Sequence, residues 1–186
     1  MSRHFAALAY TASVRACQRR YNGRDLGGLP FESAVEFGPG EREFIAARDS
    51  FFLSTVSETG WPHVQHRGGP PGFLQVLDAT TLAFADLSGN RQYVSVGNLG
   101  ANDRAALILI DYPNRRRLKI LGHVEVLDMA AVDSKLATKM KFLPTGTERL
   151  MLIRVAAFDW NCSQHITPRF TENEWQEHAT TTLTKE

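Results

Sequence analysis

Phe51-Phe52-Leu53-Ser54-Thr55-Val56-Ser57 runs through Glu58-Thr59-Gly60 into Trp61-Pro62-His63-Val64-Gln65-His66-Arg67-Gly68-Gly69, and this stretch decides the architecture. Its first seven residues are rich in aromatic and β-branched side chains and read as a strand. Gly60 supplies a tight turn, and a second strand, His63–Arg67, breaks at a glycine pair beside a cation. Working outward, Gly72–Leu77, Thr81–Ala85, Ala105–Asp111 and Arg117–Asp128 have the same pattern, and Glu148–Asp159 reads as a strong final strand. Gly68-Gly69-Pro70-Pro71 and Pro113-Asn114 make the breaks, since proline cannot donate to a sheet ladder. Many short strands closing on themselves predict a mainly β (α+β) barrel, because closure removes exposed edges.

The flanks read as helices and connections. Phe5, Leu8, Ala9, Ala12, Val14 and Ala16 alternate with Arg15, Arg19 and Arg20, which suits an amphipathic helix from Thr11 or Ser13. Gly23, Gly27, Gly28 and Pro30 mark an irregular connection that ends at Pro39-Gly40, and Glu41 to Arg48 reads as a short helix. Tyr93 to Leu99 reads as a helical turn. Met129 to Phe142 takes helical spacing, with Val132, Leu136, Met140 and Leu143 on one side, and stops at Pro144 and Gly146. The expected organisation is an N-terminal helix and linker over 1–40, a barrel over 41–170 and a polar tail over 171–186.

Composition excludes several classes. With 186 residues, 43% hydrophobic and 22% charged, the chain is long and apolar enough for one ordinary domain. A formal charge of +1 gives no global field for nucleic acid or an acidic membrane. No apolar run approaches the ~20 residues that span a bilayer, and the N-terminus lacks an apolar signal core, so a cytoplasmic location is expected. Cys17 and Cys162 stand far apart, which argues against a disulfide framework or zinc cluster. His63 and His66 are three apart on a strand and point to opposite faces, and no carboxylate or cysteine recurs at ligand spacing; no metal site is expected. Arg115-Arg116-Arg117-Leu118-Lys119 reads as a solvated hairpin turn without interleaved aromatics, so nucleic-acid binding is not expected.

Local clusters could still hold a phosphorylated, planar ligand. Ser88-Gly89-Asn90-Arg91 places a hydroxyl, an amide and a guanidinium fork soon after the strand Thr81–Ala85, and arginine matches phosphate in bidentate fashion. His66-Arg67-Gly68-Gly69 offers glycines that admit a flat ring and an arginine that faces either the ring edge or the phosphate. Asn98, in Gly97-Asn98-Leu99, either donates to such a ligand or caps a helical turn, and the sequence favours the cap. Trp160-Asn161-Cys162-Ser163-Gln164-His165 brings an aromatic, a thiol and an imidazole together, either near a ligand or as core with an inert cysteine.

This succession of strands, with Arg67-Gly68, Gly89-Asn90-Arg91, Gly97-Asn98-Leu99 and the late Asn161-Cys162, resembles the FMN-binding split-barrel family related to pyridoxamine 5′-phosphate oxidase, in its uncharacterised flavin-nucleotide-binding branch. The resemblance covers roughly Glu41 to Arg169. It implies a six-stranded split β-barrel with flanking helices, dimeric, with FMN between two subunits. It implies cofactor contacts at His66, Arg67, Gly68, Gly69, Asp86, Ser88, Asn90, Arg91, Asn98, Leu99, Cys162 and Gln164. The implied function is an FMN-dependent oxidoreductase of unassigned substrate, a homodimer using a small-molecule electron donor. The alternative is a non-catalytic module that binds, stores or senses flavin, deazaflavin or haem. Vitamin B6 oxidation itself is not implied. Gln92 and Tyr93 follow Arg91 where that enzyme has lysine, and the tail Thr182-Leu183-Thr184-Lys185-Glu186 lacks its arginine and histidine.

Overall fold

The computed structural model describes residues 2–27, 35–160 and 163–176. Its centre is one antiparallel sheet of seven strands: β1 (Ser50–Val56), β2 (Pro62–Gly68), β3 (Gln75–Val76), β4 (Thr81–Leu87), β5 (Arg104–Asp111), β6 (Arg116–Asp128) and β7 (Thr147–Trp160). The hydrogen-bonded order is β2-β1-β5-β6-β7-β4-β3. The count is therefore seven, not six. Seven is the number of strands read from the residues themselves, six being what the resemblance implied; the edge strand β3 is only two residues long and pairs Gln75 with Ala83 and Val76 with Leu82. It is shorter than its apolar run because Gly72 takes a left-handed φ of 83° and the Phe73 amide donates to the Pro70 carbonyl, so a turn occupies its first half.

The sheet curls on itself. Four inter-strand steps separate β1 from β4, roughly 19 Å in a flat sheet. Yet the rings of Phe51 on β1 and Phe84 on β4 meet edge to face with centroids 5.3 Å apart, and Phe51 also stacks on Phe73 at 5.5 Å. Alternate residues supply this interior. Phe51 and Leu53, Leu107 and Leu109, Leu118 and Ile120, and Met151 and Ile153 are all buried, as strand period two requires.

Helices close the outside. α1 (Arg3–Ala9) packs on β7, and α2 (Ala12–Asn22) starts at Thr11, whose hydroxyl accepts from the Val14 amide. α3 (Pro39–Ala46) begins earlier than its sequence suggests. Pro39 has the φ a first helical residue needs, and Glu41 accepts from the Gly38 amide at 3.0 Å. α4 (Val94–Ala101) is a full helix rather than a turn. The long helix expected over Met129–Phe142 is split into a 3₁₀ turn (Met129–Ala131) and α5 (Ser134–Lys139), because the Asp133 carboxylate caps a new start at the Leu136 amide, 2.6 Å away. Among the described residues, no helix is long and apolar enough to cross a membrane.

One glycine is required by close packing. At Gly122 the β6–β7 register shifts, its partner becoming Val155 after Leu121 faces Ala157. A Cβ there would lie 2.7 Å from the Arg154 carbonyl oxygen and 2.9 Å from Ile153 Cγ2. Gly122→Ala should therefore cost about 1–3 kcal/mol by overpacking, read as a lower urea midpoint with an unchanged slope.

Candidate functional site

β2 is the wall on which the site is built. Its side chains alternate, with His63, Gln65 and Arg67 half-buried on the inner side and Val64 and His66 exposed on the other. Opposite the inner side lie the end of β4, the connection 88–93, the start of α4 and Arg149 of β7. Together these enclose a cleft of about 530 Å³, a size suited to a small cofactor.

Asp86 organises the cations. Its carboxylate is 3% exposed and accepts from Arg67 Nη1 at 2.7 Å and Arg149 Nε at 3.0 Å. Arg149 also meets Glu148 at 2.7 Å. Burial opposes the charge on Arg149, but its hydrogen bond and proximity to Asp86, followed by Glu148, outweigh that and raise its pKa above the ordinary arginine value. Arg67 lies over the Phe84 ring at 5.6 Å, and its Nε is buried without a partner among the described residues.

The backbone adds donors. Along 88–93, φ is positive at Gly89 (47°), Arg91 (57°) and Tyr93 (52°) but at none of the residues between them. Alternating hand of this kind gathers amides into anion-binding concavities. α4 starts at the cleft without a side-chain cap, so its first-turn amides lack intrahelical partners and its dipole presents positive charge. The Ser95 hydroxyl donates to Gln65 Oε1 at 2.8 Å, and Asn98 Nδ2 donates to Thr55 Oγ1 at 3.0 Å, fixing α4 to β2 and β1.

Of the residues singled out in the sequence, His66, Arg67, Asp86, Ser88, Asn90 and Arg91 line this cleft. His66 does so from the strand, with its ring edge-on to Phe52 at 5.5 Å. Asp86 faces two guanidinium groups. Gly68 and Gly69 lie beyond the lining; a Cβ on Gly69 would sit 2.7 Å from Phe73 Cγ, so its bareness makes room for that ring. Asn98 and Leu99 are buried one turn inside α4, where Asn98 is a fastener rather than a cap. Gln164 is exposed in a turn away from the cleft, and Cys162 lies outside the described residues. Sequence reading missed Arg149, Gln65, Ser95 and His63. No local signal marked Arg149, since its strand also holds Glu148, Arg154 and Asp159 and its partner is 63 positions away. Among the described residues, no group of three or more His, Cys, Asp or Glu side chains is placed to hold a metal.

Residues 39–157 match the sequence model of the family described as pyridoxamine 5′-phosphate oxidase. Among solved structures, a candidate pyridoxamine 5′-phosphate oxidase from Lactobacillus delbrueckii is similar at 17% identity and a TM-score of 0.52, over 68% of this chain and 95% of that one. HupZ from Group A Streptococcus is similar at 14% identity and a TM-score of 0.51, over 72% and 99%. Among curated proteins, none matches the chain. At these identities the structural likeness establishes the fold.

Removing Asp86 leaves two cations facing each other in a largely buried setting. Asp86→Ala should cost about 3 kcal/mol, the lower end of the range for breaking a buried pair because Arg67 and Arg149 keep some exposure. Chemical denaturation measures this, and a loss within the scatter of surface substitutions would show that the bridge holds nothing.

Proposed function

We infer, for a chain that belongs to the pyridoxamine 5′-phosphate oxidase family, that the cleft binds FMN and that the protein is a flavin-dependent oxidoreductase acting as a homodimer. The observation that carries this reading is the convergence of Arg67, Arg91, Arg149 and the uncapped start of α4 on one cleft. That donor set fits a phosphate monoester. Guanidinium forks pair with its oxygens, serine hydroxyls and turn amides complete the shell, and the partnerless Arg67 Nε marks unsatisfied donor capacity.

FMN, when bound, supplies hydride and single-electron chemistry. The chain's residues do the rest. Asp86 holds Arg67 and Arg149 in fixed orientation, so that positive charge is preorganised. Gln65, fastened by Ser95, and His63 present polar groups along the inner side of β2. The Tyr93 ring, covered by the Arg149 guanidinium at 4.9 Å, gives the cleft an aromatic edge. An apolar groove on the outer side of the sheet, beside β2, supports association of two copies.

Titration of the protein with FMN, followed by quenching of flavin fluorescence, tests this directly. Arg91→Ala should weaken binding by roughly 1.5–3 kcal/mol through loss of charge-assisted hydrogen bonds, while melting unchanged. Equal affinity in the folded variant removes Arg91 from the phosphate site, and no saturable flavin binding by the wild type ends the reading. Reduction of the bound flavin by a nicotinamide donor then separates an enzyme from a storage or sensing module.

A further inference from the structure

Gln65 stands in the middle of the inner row of β2, half-buried between His63 and Arg67, and all three line the cleft. At about 3.3 Å per residue this row is roughly 13 Å long. A row of that length suits the side of an extended ligand, whereas Arg91 and the turn amides of 88–93 suit the compact charge of a phosphate. Gln65 also differs from its neighbours in chemistry. Its amide is neutral at every working pH and carries two donors on one atom and an acceptor on another. Its surroundings decide which of these faces the cleft.

Ser95 makes that decision. It is the second residue of α4 and only 1% exposed, so its hydroxyl proton has to be donated within the protein. Among the described residues the hydroxyl's one hydrogen-bond partner is Gln65, and Ser95 Oγ donates to Gln65 Oε1 at 2.8 Å. Turned end for end, the amide would donate to Ser95 and leave that buried proton without an acceptor. The oxygen of Gln65 is thus turned to α4. Its Nε2, which no described residue engages, keeps two N–H donors for the cleft. The other fixed acceptors nearby are engaged as well. Asp86 receives Arg67 and Arg149, and Asn90 Oδ1 receives the Gln92 amide at 3.2 Å. A guanidinium has no acceptor at all. Gln65 and Arg67 therefore offer donors to whatever lies along the strand.

We propose that Gln65 is the specificity-determining residue for the planar part of the ligand, its amide donating to a ring edge built of carbonyl or imine acceptors, and that Ser95 is the positioning residue that keeps those donors forward. The inference rests on the flavin reading of the proposed function and sharpens it. Many phosphorylated compounds satisfy a cluster of arginines. The amide favours those whose ring presents acceptors along the strand, as the dione edge of a flavin does. It disfavours a ring with amino groups at that edge, where donor meets donor.

Titrations with FMN and with ribose 5-phosphate, which keeps a phosphate monoester and drops the ring, test this on the wild type, Gln65→Leu, Gln65→Glu and Ser95→Ala, with thermal melting as the check on folding. In Gln65→Leu the Kd for FMN should rise about three- to tenfold, the range one hydrogen bond spans. Its Kd for ribose 5-phosphate should stay the same, and the absorption bands of the bound flavin should shift. Gln65→Glu keeps the size of the side chain but sets a carboxylate against acceptors. Measured relative to ribose 5-phosphate in the same variant, it should bind FMN more weakly than Gln65→Leu, whereas a packing role gives the reverse order. Ser95→Ala leaves Gln65 in place with its amide free to turn, so it should weaken FMN in the same direction, and it serves where Gln65→Leu does not fold. Unchanged FMN affinity and spectrum in the folded variants overturn the proposal. So do equal losses for the two ligands, which would place Gln65 at the phosphate. Both of those outcomes leave flavin binding standing, while a wild type with no saturable FMN binding ends the flavin reading and this inference with it.

Discussion

One carboxylate holds the geometry together. Asp86 stands on β4, five steps from β2 in the hydrogen-bonded order, yet receives Arg67 of β2 at 2.7 Å. In a flat sheet the two strands would lie roughly 24 Å apart. The ion pair therefore requires the curl. Apolar contacts such as Phe51 on Phe84 drive the curl, but they are non-directional. The Arg67–Asp86–Arg149 bridge adds direction, because a guanidinium fork accepts few arrangements. The same bridge aims both cations into the cleft, so closing the barrel and organising the site are one event.

β2 carries the other division of labour. It is an edge strand, and an edge exposes backbone and both faces unless something covers them. Its inner side chains, His63, Gln65 and Arg67, are spent on the cleft, on α4 and on Asp86. Its outer side chains, Val64 and His66, border the apolar groove and the Phe52 ring. Val64 and His66 also reach the cleft, which wraps around this edge strand, so Val64 borders both the charged cleft and the apolar groove. Whatever occupies either side sets the environment of the other through one backbone thickness.

The sequence made the fold readable because strand period and turn chemistry are local. Phe51 to Val56 and Ala105 to Asp111 announce themselves by alternation and by β-branched content. Misreadings arose where a short-range rule was decided by geometry beyond the segment. The Met129–Phe142 periodicity was broken by one capping aspartate, and of Gly72–Leu77 only Gln75 and Val76 remained strand, a turn taking the first half. At the site, Arg67, Ser88, Asn90 and Arg91 were visible because each lies in a cluster beside a break. Arg149 was invisible because its meaning depends on Asp86, and nothing in the neighbourhood of either residue specifies the other. Asn98 was misleading for a related reason. An asparagine near a helix start suggests a cap, but the helix begins at Val94, which turns Asn98 inward to Thr55.

Charge balance in the cleft links occupancy to stability. Arg67, Arg91 and Arg149 face a space in which Asp86 is the buried counter-charge and Glu148 relieves only Arg149. Concentrating like charge opposes the compact state, and on the proposed function the donors are already in place for an anion. An anion that enters offsets the repulsion and binds only the folded chain, so it stabilises the fold by RT ln(1 + [L]/Kd), about 2.7 kcal/mol at a hundredfold excess over Kd. The bridge at Asp86 determines how large the effect is. Were the aspartate absent, Arg67 and Arg149 would lose their shared counter-charge, and of the two only Arg149 would keep a carboxylate partner, Glu148. With it in place, Arg67 and Arg149 are both held on one carboxylate at the cleft.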